Sequence, residues 1–141
     1  MPLPADLAGR TFPPTPPYEV AREKIREFTT AIGASVEEPD GGEVAPPTFP
    51  IVVAFRAMQA LLAEPDVGVA LHRVVHGDQR FVYTRPVHAG DVLIARLTLE
   101  SLRQAAGADI IGTRTDIATA DGDHVVSAYA TLVHRAEEPA S

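Results

Sequence analysis

The sequence predicts an α+β fold in which an antiparallel sheet curls around one long helix. Three observations lead there. Ten of the 13 prolines fall in the first 50 residues, so loops and helices come first. A segment near residues 49–63 is apolar almost all round, and the rest of the chain alternates apolar and polar residues between turn sequences.

Taken in order, "VAREKIREFTTAIG" places Ile25, Phe28 and Ile32 at three- and four-residue spacing among charges, with Gly33 as a stop. That pattern predicts an amphipathic helix over 20–32. In "PPTFPIVVAFRAMQALLAEP", Thr48 can cap a helix running to about residue 63, and Pro65 ends it. Arg56 and Gln59 are its only strongly polar side chains, so it must be wrapped by other structure or lie at an interface. Four strands are expected at 73–85, 92–102, 109–119 and 124–135. In the second, Leu93, Ala95, Leu97 and Leu99 share one face while Arg96, Thr98 and Glu100 share the other. Asp121-Gly122 marks a hairpin between the last two, and "HAGDVL" and "QAAGAD" supply the other turns. A helical part followed by such a meander buries its central helix by curling the sheet around it, which is the hot-dog fold.

Composition narrows the function classes. At 141 residues the chain is read as a single domain over 1–135, with 136–141 as a flexible tail. A formal charge of -7 with no Lys/Arg cluster disfavours phosphate backbones and anionic lipid surfaces, so neither nucleic acid nor membrane is expected as a partner. Cysteine is absent, which removes disulfides, a thiolate nucleophile and Cys-type zinc sites. Acid/base chemistry falls to His, Asp, Glu or Tyr. The N-terminus "MPLPADLAGR" has no signal-like basic or apolar region, and the longest apolar run is "IVVAF", so a cytoplasmic location is expected.

Four stretches, "YEVAREKIREF" (18–28), "APPTFPIV" (45–52), "VVHGDQRFVYTRPVHAGD" (74–91) and "GADIIGTRTDI" (107–117), touch most of the chain in order. Through them the sequence resembles the MaoC-like hot-dog dehydratase/hydratase family, above all its short actinobacterial members, which include non-catalytic subunits of (3R)-hydroxyacyl-ACP dehydratases. The resemblance implies an acyl-ACP or acyl-CoA thioester as ligand, no cofactor, and a homodimer or a heterodimer with a catalytic hot-dog subunit. It also implies Thr48, Phe49, Phe55, Gln79, Tyr83 and Arg85 as acyl-binding residues. Catalytic relatives carry G-D-x-N-P-x-H after the first long helix, where Asp and His add or remove water across an enoyl thioester. Here Ala34 follows Gly33, no His occurs between residues 1 and 71, and the segment is shortened. The usual pair is missing. Pro46, Pro47 and Pro50 further deplete the backbone N–H groups that could polarise a thioester carbonyl, leaving Thr48, Phe49 and Ile51 as donors.

Two His/Asp groupings remain. His88 and Asp91 surround Gly90 and read as turn chemistry. His76 and Asp78 are read either as strand residues in a structural or partner-facing role or as an unusual base with its orienting partner. Strict alternation puts them on one face. His72 and His134 flank strands, no spacing of metal ligands occurs, and Glu37, Glu38 and Asp40 form an acidic loop. Phe49, Phe55, Met58 and Leu62 line either an acyl channel or plain core. Three readings follow: a substrate-binding, non-catalytic subunit of an (R)-specific dehydratase/hydratase; a homodimeric isomerase, cyclase or dehydratase with a repurposed pocket built around His76 and Asp78, with Tyr83 or Arg85; and, less favoured, a ligand-binding or regulatory hot dog with no reaction of its own.

Overall fold

The computed structural model describes residues 3–34 and 43–135. The acidic loop residues Glu37, Glu38 and Asp40 and the tail at 136–141 lie outside them. The elements are β1 (Tyr18–Glu19), α1 (Arg22–Ala31), α2 (Ile51–Leu62), β2 (Val74–Tyr83), β3 (Val92–Ala105), β4 (Ala108–Thr119) and β5 (His124–Arg135), with single 3-10 turns at Ala5–Leu7 and Leu71–Arg73. One antiparallel sheet in the order β1-β3-β4-β5-β2 curls around α2, the hot-dog arrangement.

The alternation read in β3 is realised. Leu93, Ala95, Leu97 and Leu99 are buried on the concave face, joined there by Ile111 and Ile117 of β4 and Val126 and Leu132 of β5. Against them α2 buries Val53, Ala54, Ala57 and Leu61, every third or fourth residue, while Ile25 of α1 and Phe49 complete the core. Helix α2 lies on β3 and β4. Val126, Ala128 and Leu132 of β5 are buried as well, and β2 forms the margin of the sheet, where His76 and Tyr83 are exposed.

Two boundaries differ from expectation for identifiable reasons. Helix α1 begins at Arg22, because Val20 is held extended by hydrogen bonds to Asp91 O (2.8 Å) and from Gly90 N (2.8 Å). Helix α2 is not capped by Thr48. Its N-cap is Pro50, and residues 46–50 wind into it as a tight turn in which Phe49 N donates to Pro46 O (2.9 Å) and Ile51 N to Thr48 O (3.2 Å).

The sheet's edges are unlike. Along β3, the segment before β1 runs antiparallel to it: Gly9 N bonds Leu99 O (2.7 Å), Phe12 N bonds Leu97 O (2.9 Å) and Thr15 N bonds Ala95 O (2.9 Å). At the other side β2 pairs only with β5. Its outer edge is bare among the described residues.

Beneath one end of the sheet is a buried polar cluster. Asp109 accepts hydrogen bonds from Gln104 Nε2, from Leu3 N (3.4 Å) and from His134 Nδ1 (3.4 Å), while His134 Nε2 accepts from Ala70 N (3.2 Å). Because Nε2 is an acceptor, the imidazole is neutral with its proton on Nδ1. His134 is thus a core residue.

The β3–β4 hairpin turns on Ala106 and Gly107, both left-handed, at φ 51° and 79°. Ala106→Gly removes the steric cost of a Cβ in that region and is expected to raise stability by about 1 kcal/mol in urea unfolding. Asp109→Ala leaves two buried donors, Leu3 N and His134 Nδ1, without their acceptor, and the same measurement should show a loss of about 1–3 kcal/mol.

Candidate functional site

The candidate site is the groove where α2 stops covering the sheet. Its floor is β4 and β5, its rims α2 and β2. Which side chains of β2 enter it is decided by a β-bulge: His76 pairs with Leu132 and Asp78 with Thr131, leaving Gly77 as an extra residue. In phase with the buried Leu132 and Ala128, the inward side chains of β2 are Val74 and His76 before the bulge and Gln79, Phe81 and Tyr83 after it. Asp78 and Arg80 point outward.

The His76/Asp78 couple expected from strict alternation is therefore not formed. His76 faces the groove, its ring set edge-on to Phe55 of α2 at 6.5 Å between centroids. Asp78 lies beyond the sheet, where its Oδ1 accepts from Thr131 N (3.1 Å) and so satisfies a strand amide at the bulge. The outer face around it is a shallow trough of about 830 Å³, in which the Arg80 guanidinium stacks 4.3 Å over the Tyr129 ring. No ion pair or hydrogen bond links His76 to a carboxylate among the described residues.

The predicted binding residues divide between two places. Phe55, His76 and Gln79 line a cavity of about 20 Å³ between α2 and the sheet, with Ile51, Ala54 and Met58 on the helix side and Thr113, Thr115, Ala128 and Ala130 on the floor. Tyr83 and Arg85 line a separate hollow of about 440 Å³ with Val44, Ala45, Pro47 and Pro86. Phe49 is fully buried and packs edge-on against Phe28 at 5.5 Å, as core. Thr48 lies exposed in the turn before α2.

Tyr83 and Arg85 are both committed. The Tyr83 hydroxyl donates to Pro47 O (2.6 Å), tying the end of β2 to the entrance of α2, and burial pushes its pKa up to about 12. A phenol held in this way is a poor proton donor or acceptor at neutral pH. Arg85 forks onto both oxygens of Asp91 (2.9 and 3.2 Å), and Asp91 also accepts from His88 N (2.8 Å). Burial pushes the Asp91 carboxyl up, but the Arg85 hydrogen bonds, the His88 amide and the Arg85 charge outweigh it and hold the pKa below 3.8. His88 and Asp91 are the turn device expected of them. At the entrance of α2, the amides of Phe49 and Ile51 are spent on the turn, so two of the three donors left by the prolines cannot meet a ligand carbonyl.

Among the described residues no three His, Asp or Glu side chains gather as metal ligands, and no helix is long and apolar enough to cross a membrane. The floor residues Thr113 and Thr115 escaped the sequence reading. Their signal is phase: they share alternation with Ile111 and Ile117, so small polar side chains stand where the core pattern calls for large apolar ones.

The chain is similar to known proteins over nearly its full length. Residues 6–128 match the family model described as FAS1-like, dehydratase domain region. The sequence is 47% identical to a UPF0336 protein of Leifsonia xyli, over 98% of this chain and 99% of that protein. It is 43% identical to a UPF0336 protein of Streptomyces coelicolor, over 99% and 100%. Among solved structures it is similar to a chain of the truncated HadBC (3R-hydroxyacyl-ACP dehydratase) complex of Mycobacterium tuberculosis, with 37% identity, TM-score 0.77 and coverage of 91% and 97%. A MaoC-like dehydratase matches at 28% identity and TM-score 0.75, with 91% of this chain against 42% of that one.

The burial of the Tyr83 phenol has a pH signature. Its folded pKa lies above the ordinary 10.0, so the stability the neutral side chain contributes is complete below pH 10 and is lost as pH rises through about 12. Unfolding free energies of the wild type and Tyr83→Phe, followed from pH 8 upward, are expected to converge over that interval.

Proposed function

Since the chain belongs to the MaoC-like hot-dog dehydratases, within the family of the FAS1-like dehydratase domain region, we propose that it is the substrate-binding, non-catalytic subunit of an (R)-specific hydroxyacyl dehydratase or enoyl hydratase. Its ligand is an acyl thioester on a carrier protein or coenzyme A, and its partner is a second hot dog that carries the Asp and His. The observation that carries this reading is the bulge at Gly77. In the groove stands a His without a carboxylate, and the nearest sequence candidate to serve it faces the other side of the sheet.

The open margin of the sheet supports a partner. Phe55 of α2 is 46% exposed, Val75 (54%) and Val82 (49%) stand open on the outer side of β2, and Leu71 (61%) lies just ahead of that strand. Large apolar groups beside an unpaired strand invite a second sheet and its helix. The partner would then roof the groove, turning an open slot into an acyl channel. That the similar chain of Mycobacterium tuberculosis comes from a HadBC complex agrees with such a pairing.

The alternative, a homodimeric isomerase, cyclase or dehydratase, draws on one observation: the His76 ring points into the groove and has no polar partner among the described residues. One experiment separates the two. Purified alone, the protein is expected to hydrate crotonyl-CoA roughly a hundred- to ten-thousand-fold more slowly than when co-purified with a hot dog carrying G-D-x-N-P-x-H. Comparable turnover by the chain alone, abolished by His76→Ala, would put the homodimeric enzyme in its place.

A further inference from the structure

We infer that the outer face of the sheet, turned away from α2 and the groove, docks an acidic polypeptide. This is independent of the acyl-binding reading and adds a partner to it.

Strand register gathers here what the sequence scatters. On this face β2 to β5 present Arg80, Arg96, Arg103, Arg114 and Arg135 against three carboxylates, Asp78, Glu100 and Asp116. All three carboxylates are engaged locally. Asp78 accepts from Thr131 N (3.1 Å), Glu100 from Arg114 (3.4 Å), and Asp116 from Arg114 (3.1 Å) and the Ser127 hydroxyl (2.8 Å). That leaves Arg80, Arg96, Arg103 and Arg135 exposed and without an ion pair among the described residues, although Asp116 is the register partner of Arg96. Elsewhere the sign reverses. Residues 1–72, which supply both helices, hold ten Asp/Glu against five Lys/Arg. A chain of formal charge -7 thus concentrates unanswered cations on one face.

Charge alone would describe a solvated surface, but this face also has an apolar centre. Ile110, Val133 and Val75 form one row across β4, β5 and β2, and Tyr129 stands two rows away. Between the rows, Gly112 and Thr131 floor the trough of about 830 Å³. The Arg80 guanidinium lies 4.3 Å over the Tyr129 ring, which holds its planar fork ready for a carboxylate. An apolar middle with arginine and tyrosine anchors and a charged rim is the anatomy of a protein interface. At ~3.3 Å per residue and ~4.8 Å between strands, the face measures roughly 25 by 15 Å, room for a helix of about four turns. The occupant that answers both features carries carboxylates around one or two large apolar side chains. A second copy laid face to face would oppose arginine to arginine, and the overall negative charge opposes a nucleic acid.

The test uses fluorescence anisotropy of the full chain with two labelled amphipathic helical peptides. One carries glutamates around a leucine and a phenylalanine, and the other has glutamine at every glutamate. The acidic peptide is expected to bind at least about tenfold more tightly, and Arg80→Glu combined with Arg103→Glu should abolish that preference. Lys24→Glu with Arg56→Glu, exposed positions on the helices, changes the total charge equally and should preserve the preference. Equal affinity for the two peptides would overturn the inference, as would an equal loss in both double variants, which would reduce the effect to net charge. Tighter binding of a uridine oligonucleotide at the same arginines would give the face to nucleic acid instead. Sedimentation showing self-association of the chain that Arg80→Glu with Arg103→Glu dissolves would give it to a second copy, and either result would sink the proposal.

Discussion

A helix with apolar side chains nearly all round has to be covered on every side, and a single five-stranded sheet reaches only part of the way. Helix α2 spends Val53, Ala54, Ala57 and Leu61 on the sheet and leaves Phe55 open, with Val52, Met58 and Leu62 half-covered. The sheet has a similar shortfall at one margin, because β2 pairs only with β5 among the described residues and leaves Val75 and Val82 open. Each surplus is the complement of what a second such molecule would bring. The groove exists because these two incomplete coverings meet along one line.

What fills that line is set by one inserted residue. Without the bulge at Gly77, alternation would carry Asp78 and His76 to the same face and a carboxylate would stand beside the imidazole. With it, a neutral carboxamide takes that place, and the carboxylate is put to structural use on Thr131 N. Glycine suits the insertion, since a Cβ at 77 would come within 3.2 Å of the Thr131 carbonyl oxygen. The same short stretch thus pairs the strand, aims its side chains and keeps Asp78 away from His76.

Much of the fold was legible because its periods are long and regular. The four strands and both helices follow from alternation, three- and four-residue spacing and turn dipeptides, and the missing polar face of α2 already called for outside cover. Local devices were harder to read. The two residues of β1 are too few to show a period, and Thr48 resembles a cap although a proline-rich turn leaves that position to Pro50. The bulge did leave a mark, an isolated glycine inside a strand, but counting by twos passes over it. For the groove, His76, Gln79 and Phe55 were readable from motif and helix position. Thr113 and Thr115 were not, because their meaning depends on which face of β4 the helix leaves bare.

The strap from Gly9 to Thr15 along β3 has a consequence for assembly. A sheet with two bare edges can add neighbours at both and grow without limit, the route by which strand pairing leads to fibres. Here the chain occupies one edge with its own backbone, so strand addition is left to β2 alone. Two chains joined there expose only strapped edges. The N-terminal segment would make such a pair an endpoint.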